Sequence, residues 1–372
     1  MALWRRSNDA AGNDCSTTIS RSNMIAVFAL AGRAGTEKKR NMTADFIDAH
    51  VHVWSGPAGP YAREPGYSGP AYKPAVFTPE TLLEHARPCG VSRVVLVQMS
   101  FYGFDNSYML DAIRRYPDVF RGIAVVDDSH PKPQDEMLLL AHQGVRGFRI
   151  ILESDPRTRL ATPGMEAMWR CASESRLVLG LLAGPDALPS IDAMCTRFPE
   201  APVVIDHMGR VGSDGQIRDA DVRALSNLAR HPEVCVKISA FYALGRKQAP
   251  YDDLAPLIRT LYEAYGPKRL MWASDSPFQV QPPHTYRGSV DLIRNRLAFL
   301  PDENREWLLR KTAERIFFGT RTGARAANIG APMDIPCKEP FPPHSRRRLL
   351  GHGGRGPSSP KRSARTHVLL QR

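Results

Sequence analysis

The sequence is poor in cysteine, and its cysteines never occur as close pairs. Its 372 residues include six cysteines, which are widely spaced and form no C-x-x-C motif. Secreted disulfide scaffolds and zinc knuckles concentrate cysteine at short spacings, so neither class is indicated. We therefore expect a cytoplasmic protein in which most thiols are small buried side chains.

Long apolar runs and nucleotide-binding motifs are also missing. No apolar run approaches the roughly 20 residues that a helix needs to span a bilayer. Neither G-x-G-x-x-G nor the P-loop pattern follows a predicted strand, which removes the usual nucleotide-binding folds. The sequence therefore predicts no membrane partner and no nucleotide site of these kinds.

Positive charge is concentrated at the two ends of the chain. The formal net charge is +12, but residues 1–44 carry +4, residues 320–372 carry +9, and the body between them carries −1. No aromatic residues alternate with the arginines of the tail, as stacking platforms for bases would require. We therefore expect a small-molecule substrate and no nucleic-acid partner, while the oligomeric state stays open.

The same two ends lack the apolar periodicity that a packed core requires. The tail is rich in proline, glycine and arginine, and the leader is polar apart from residues 25–31. Such compositions predict disorder. The apolar run resembles a short secretory signal, but the long leader before it argues against one, and the alternative is a functional chain beginning at Met42. We expect residues 45–319 to form the folded domain.

Short apolar, β-branched runs alternate with amphipathic stretches throughout this domain. The alternation predicts repeated βα units around a parallel sheet. Eight such pairs with nearly continuous apolar strands favour a (β/α)8 TIM barrel, of class α/β, over an open doubly wound sheet. The predicted strands are 46–54, 94–98, 121–126, 145–151, 177–183, 203–207, 234–239 and 270–275. The predicted helices are 79–86, 107–115, 133–142, 165–174, 188–198, 219–230, 251–265 and 302–317.

Polar side chains end three of these strands. His50 and His52 alternate along the first strand, so they face one side and can reach a single ion or substrate atom. His207 ends the sixth strand and Asp275 ends the eighth. Because catalytic residues of such barrels stand at the carboxyl ends of strands, we expect these four side chains to converge at one mouth.

Each of these features alone has a simpler explanation. The two strand-one histidines could be a surface pair or a satisfied core pair. Asp206 with His207 could belong to a turn, and Asp275 could cap a helix that begins near Pro277. Their shared position at the ends of apolar strands favours a functional site, because unpaired polar groups are costly to bury there.

Eight short motifs are spread over nearly all of residues 45–319. They are D-A-H-V-H-V-W from Asp48, V-V-L-V-Q ending at Gln98, G-F-D-N from Gly103, R-G-I-A-V-V-D from Arg121, G-V-R-G-F-R-I from Gly144, I-D-H-M-G-R from Ile205, K-I-S from Lys237, and L-M-W-A-S-D-S-P-F from Leu270. Together they resemble the amidohydrolase superfamily. The closest likeness is to its amidohydrolase-related group, in the branch of sugar lactonases and 2-pyrone-4,6-dicarboxylate lactonase.

The resemblance implies a hydrolase with Asp275 as general base, taking a proton from water and delivering it to the leaving oxygen. His50, His52 and His207 would either hold a divalent metal together with Asp275 or polarise the substrate carbonyl directly. The fourth strand offers no lysine for a bridging carbamate and the fifth offers no histidine, so two metals are not expected. One Zn²⁺ or Mn²⁺ is expected, and a metal-free site stays open.

Three cationic side chains, Arg149, Arg210 and Lys237, flank the predicted centre, and each could instead form an ordinary salt bridge. Guanidinium groups bind carboxylates through paired hydrogen bonds, so an anionic lactone or related ester is expected. After the seventh strand the chain has Ala240, Phe241 and Tyr242 where we expect the dicarboxylate lactonase to place an arginine, which predicts a less charged substrate. The substrate-binding candidates are Arg149, Arg210, Lys237, Ser239, Tyr242 and Gln98.

The sequence thus favours a lactonase but leaves two alternatives open. The superfamily includes decarboxylases of aromatic and muconate-type acids, which reuse the same metal and aspartate. A barrel kept only as a binding protein is disfavoured, because every expected polar group is present. The Gly-, Pro- and Tyr-rich interval 54–76 could form a lid for either chemistry.

Overall fold

The computed structural model describes residues 45–319, except 57, 58, 62, 66, 68–72 and 154. The expected disordered leader and tail lie outside these residues, and the expected lid, 54–76, is described only in part. Within the described chain, no helix is long and apolar enough to cross a membrane.

Eight parallel strands form one sheet in which each strand pairs with the next along the chain. Two backbone hydrogen bonds join the first strand to the segment after the eighth: Asp275 N donates to His50 O at 2.9 Å, and His52 N donates to Ser276 O at 2.8 Å. The sheet is therefore nearly closed, which confirms the predicted barrel. The strands are β1 Phe46–Val51, β2 Val91–Val97, β3 Phe120–Ala124, β4 Val145–Leu152, β5 Val178–Ala183, β6 Val203–Ile205, β7 Val234–Ile238 and β8 Leu270–Trp272.

Helices lie between the strands and after β8. Their starts follow from local chemistry: Thr78 and Thr162 each accept a hydrogen bond from a backbone N–H of the first turn, and a proline follows each. The helices are α1 Pro79–Ala86, α2 Ser107–Arg115, α3 Pro133–Ala141, α4 Pro156–Leu160, α5 Pro163–Ser175, α6 Leu188–Arg197, α7 Asp219–Asn227, α8 Ala255–Tyr265, α9 Tyr286–Asp291 and α10 Asp302–Glu306. Two π-helical turns, Trp307–Lys311 and Glu314–Phe318, extend α10.

Six of the eight strands end one to three residues earlier than the sequence predicts, and β6 and β8 are two of them. The strands β6 and β8 stop before His207 and Asp275, which adopt left-handed backbone conformations with φ of 53° and 61°. Histidine and aspartate tolerate this region better than most residues. The chain therefore turns sharply at these two polar side chains. The short helices α4 and α9 were not predicted from the sequence.

Alternate residues of the strands fill the inside of the barrel. Ile47 and Ala49 of β1 share an apolar cluster there with Val95, Val97, Ile123, Val178, Val204, Cys235, Met271 and Ala273. The register of β1 against β2 shifts between Asp48 and Val51. This irregularity, a bulge in β1, reverses the facing of later residues, so His50 and His52 also point inward.

Candidate active site

A cavity of about 400 Å³ opens at the carboxyl ends of the strands, within the size range of small-molecule sites. Its polar lining includes all but one of the four side chains expected at the mouth. The lining residues are His52, Met99, Ser100, Arg149, Ile151, Glu153, Leu182, His207, Arg210, Ser213, Ala240, Tyr242, Ala243, Leu244, Lys247, Asp275 and Phe278.

The strand-one histidines meet Asp275 at this mouth. His50 and His52 are 0% and 2% exposed, and their Nε2 atoms lie 3.2 Å apart. The Oδ1 atom of Asp275 lies 3.6 Å from His50 Nε2 and 3.4 Å from His52 Nε2. Three atoms supplied by opposite ends of the folded chain therefore form a compact triangle.

His207 completes the group. Its Nε2 atom lies 3.7 Å from Asp275 Oδ2, and its ring centroid is 4.5 Å from that of His50. Its Nδ1 atom lies 2.9 Å from Oγ of Ser239, the residue after β7, so the serine fixes the imidazole ring. Ser239, expected to contact substrate, is fully buried and acts on His207 in the structure.

Asp275 is held as a carboxylate. Burial alone would raise its pKa, but His207, His52 and His50 outweigh this effect and hold the pKa below its usual value. Tyr242 donates its hydroxyl hydrogen to Asp275 Oδ2 at 2.6 Å. Burial and this carboxylate raise the pKa of Tyr242 well above its usual value, so the phenol stays a donor.

Burial disfavours the charged form of His50 and of His207. Burial, followed by the nearby Lys237, lowers the pKa of His50 well below its usual value. Burial also lowers the pKa of His207, although Asp275 and Asp206 oppose the change. Neutral rings can accept hydrogen bonds or bind a metal through an unprotonated nitrogen.

An ion pair lies behind His50, on the side away from Asp275. Lys237 Nζ is 2.9 Å from Asp206 Oδ1, and both side chains are 1% exposed. Burial would raise the pKa of Asp206, but Lys237 and His50 hold it well below its usual value. Lys237 was expected among the substrate contacts, yet it does not line the cavity.

Three residues that we expected to contact substrate differ in whether they line the cavity and whether their polar groups are already paired. Arg149 is 9% exposed, lines the cavity, and pairs with no carboxylate among the described residues. Arg210 also lines the cavity, but its Nη1 donates to Glu153 Oε1 at 3.1 Å. Gln98 is not among the lining residues, and its amide donates to the carbonyl of Asp105 at 2.6 Å.

Two acidic residues of the site were not singled out from the sequence. Asp206 contacts Lys237, as described above. Asp48 accepts hydrogen bonds from Ser274 N at 2.9 Å and from the hydroxyl of Tyr286 at 2.7 Å, so it ties β1 to the segment that carries Asp275. Both aspartates could have been recognised from the sequence, because each lies close to a histidine at the end of a predicted apolar strand or within it.

The His50, His52 and Asp275 group fits a divalent metal ion. Its edges of 3.2, 3.6 and 3.4 Å match the separation of about 3.3 Å between ligands of a tetrahedral ion bound at about 2.0 Å. Asp275 Oδ1 is buried and accepts no hydrogen bond among the described residues. A second group, His50, Asp206 and His207, also has ligand spacing, but Lys237 already occupies Asp206.

An eight-stranded parallel barrel with histidines and an aspartate at its carboxyl-terminal mouth places this protein among the TIM-barrel enzymes. The sequence model described as amidohydrolase matches residues 47–319. This chain belongs to the amidohydrolase family, as its motifs indicated.

Curated relatives and solved structures support the lactonase branch. The 4-sulfomuconolactone hydrolase of Rhizobium radiobacter is 29% identical over 68% of this chain and 83% of its own. The L-fucono-1,5-lactonase of Burkholderia ambifaria is 30% identical over 62% of this chain and 80% of its own. A probable 2-pyrone-4,6-dicarboxylic acid hydrolase from Acinetobacter baumannii, solved with citric acid bound, is 27% identical with a TM-score of 0.64, covering 74% of this chain and 100% of its own.

Proposed function

We propose that this protein hydrolyses a small anionic lactone by attack of water on the ring carbonyl. The observation that carries the proposal is the position of Asp275, whose carboxylate oxygens lie 3.4 to 3.7 Å from three imidazoles at the mouth of the barrel. The names of the relatives, all hydrolases of lactones or of a pyrone dicarboxylic acid, support the same reaction class.

Asp275 acts as the general base and acid. Its ionised carboxylate takes a proton from the attacking water and delivers it to the leaving oxygen. His207, fixed by Ser239, orients the substrate carbonyl from the β6 side. A zinc or manganese ion held by His50, His52 and Asp275, with His207 nearby, would polarise the carbonyl and acidify water.

Arg149 binds the anionic group of the substrate. A buried guanidinium that has no carboxylate partner among the described residues is costly to keep, and an anionic ligand in the cavity removes that cost. Arg210 is already paired with Glu153 and contributes less. Met99, Ile151, Leu182 and Phe278 give the cavity an apolar wall. A lactone with one anionic group and an apolar face fits this arrangement better than a dicarboxylate.

A panel of lactones tests the proposal. Monoanionic, dianionic and neutral lactones of five- and six-membered rings are incubated with the protein while proton release and carbon dioxide are both followed. We expect proton release that is fastest with a monoanionic lactone, and no carbon dioxide. Carbon dioxide from an aromatic or muconate-type acid would indicate the decarboxylase, and no turnover in any arm would favour a binding protein.

The domain limits and the location of the protein are part of the same proposal. We propose that residues 45–319 suffice for catalysis and that the protein is cytoplasmic. Cys89, Cys195 and Cys235 are free and buried, which supports a reducing compartment. A chain trimmed to residues 42–320 is expected to keep the activity of the full chain. Loss of folding on trimming would assign a structural role to the ends.

A further inference from the structure

Lys237 is a charged residue that the proposed reaction does not use. It lies on β7, faces the inside of the barrel, and is 1% exposed. It does not line the cavity, so it cannot bind substrate there. Its ammonium group contacts two buried partners instead, Asp206 Oδ1 at 2.9 Å and His50 Nδ1 at 3.1 Å.

These contacts determine which ring nitrogen of His50 carries the proton. A lysine ammonium group donates hydrogen bonds and cannot accept them. His50 Nδ1 must therefore accept from Lys237, which leaves the single proton of the neutral ring on Nε2. Asp206, the competing partner for a protonated Nδ1, is farther away at 3.4 Å and is already paired with Lys237.

The neighbouring distances agree with this tautomer. A proton on His50 Nε2 can be donated to His52 Nε2, which lies 3.2 Å away. His52 Nδ1 in turn lies 2.8 Å from the carbonyl oxygen of Val97, and a carbonyl can only accept, so the His52 proton is on Nδ1. A directed chain of hydrogen bonds therefore runs from Lys237 through both histidines to β2.

We propose that Lys237 is a positioning residue that sets the tautomer of His50 and thereby weakens divalent metal binding at the mouth. A metal ligand must offer an unprotonated nitrogen. His50 can bind a metal through Nε2 only if its proton moves to Nδ1 and turns toward Asp206. Lys237 opposes this change, because its ammonium group donates a hydrogen bond to Nδ1, forms an ion pair with Asp206 and adds a positive charge near the ion. This role of Lys237 rests on the proposed function in one respect: that function places the reaction site at the mouth of the barrel.

Replacing Lys237 by methionine reverses this preference. Asp206 would then be free to accept from a protonated His50 Nδ1, which is the carboxylate–histidine–metal arrangement common in metalloenzymes. Changes in such partners alter metal affinity by about 10- to 100-fold. We expect Lys237→Met to bind Zn²⁺ at least about 10-fold more tightly than the natural protein.

Two measurements on the full chain, made without substrate, test the inference. Imidazole ¹⁵N chemical shifts report the tautomer after dialysis against a chelator, and the His50 resonance is assigned by its loss in His50→Gln. Calorimetric titration with Zn²⁺ reports affinity. We expect the Nε2-protonated tautomer in the natural protein and the Nδ1-protonated tautomer in Lys237→Met.

Two further variants complete the design. Lys237→Met leaves the buried Asp206 unpaired and can fail to fold, so Asp206→Asn combined with Lys237→Met is measured as well. The amide oxygen of that asparagine still accepts from His50, so the same tautomer and tighter Zn²⁺ binding are expected. Lys247→Met, at the cavity rim, controls for loss of a positive charge and should leave the tautomer unchanged.

The possible outcomes separate this inference from the lactonase proposal. An Nδ1-protonated His50 in the natural protein, or equal Zn²⁺ affinity in the natural protein and both Lys237 variants, would overturn the role of Lys237. A failure to hydrolyse any lactone would leave these measurements intact and would count only against the proposed function.

Discussion

Tyr242 and Asp275 form a hydrogen bond of 2.6 Å between the phenol hydroxyl and Oδ2 of the carboxylate. The bond gives the two carboxylate oxygens different surroundings, because Oδ2 is held by the tyrosine while Oδ1 faces His50 and His52. A base that must accept a proton in one direction benefits from a fixed side chain. Tyr242 thus orients the carboxylate that we propose as the general base, and it also lines the cavity.

Replacing Asp275 by asparagine is expected to abolish turnover. The amide cannot take a proton from water, and loss of a general base typically lowers rates by about 10² to 10⁴-fold. We expect kcat to fall by at least about 10³-fold while the melting temperature stays close to that of the natural protein. Asp252→Asn is the control, since Asp252 pairs with Arg296 at the surface. Unchanged rates in Asp275→Asn would refute its role as base.

Replacing Tyr242 by phenylalanine removes the hydroxyl while keeping the ring against Phe278. A hydrogen bond to a charged group contributes about 1.5–3 kcal/mol, so we expect kcat to fall about 10- to 100-fold. Tyr262→Phe removes a hydroxyl of the same type that binds Asn304 far from the cavity. Steady-state kinetics on the three proteins check the prediction, and equal loss in both variants would argue against a specific role for Tyr242.

Replacing Arg149 by methionine should weaken binding of anionic lactones more than the same change at Arg210. Loss of a charged hydrogen-bonding partner is expected to raise KM about 10- to 100-fold for Arg149→Met. Arg210 is already neutralised by Glu153, so Arg210→Met should have a smaller effect. A neutral lactone of the same ring size serves as the reference substrate. If its KM rises equally in Arg149→Met, the arginine shapes the cavity and does not bind the anion.

Removal of divalent metal is expected to reduce activity reversibly. Lys237 opposes metal binding through His50, so prolonged dialysis against a chelator should strip the site. Added Zn²⁺ or Mn²⁺ should restore the rate, with metal content measured by elemental analysis alongside. Full activity in protein holding far less than one metal per chain would instead establish the metal-free mechanism, with the imidazoles polarising the carbonyl directly.

Replacing Asp48 by alanine should destabilise the fold. The change removes the acceptor of three buried donors, His50 N, Ser274 N and the Tyr286 hydroxyl, and unsatisfied groups of this kind cost about 1–3 kcal/mol each. We expect the free energy of unfolding to fall by about 2–4 kcal/mol in denaturant titrations. Asp302→Ala, at a fully exposed position, should stay within about 0.5 kcal/mol of the natural protein.

The sequence by itself determined the barrel and the four residues that meet at its mouth. Apolar alternation marks strands locally, and the polar side chains that interrupt it at His50, His52, His207 and Asp275 are visible without any coordinates. Parallel barrels also carry their functional groups at the carboxyl ends of several strands, all at one face. For this reason strand order and site location followed directly from the pattern, although groups 225 positions apart along the chain were involved.

Only the tertiary structure decided what each side chain contacts. The stagger between strands sets how deep in the barrel an inward-facing residue lies. Lys237 therefore forms a buried ion pair with Asp206 and does not line the cavity. The bulge in β1 and the left-handed turns at His207 and Asp275 depend on neighbouring strands, and no local pattern encodes them. Closure of the barrel also brings together the loops that carry Arg210 and Glu153, so these two residues pair. Arg149 is then the arginine of the cavity that is available for an anion.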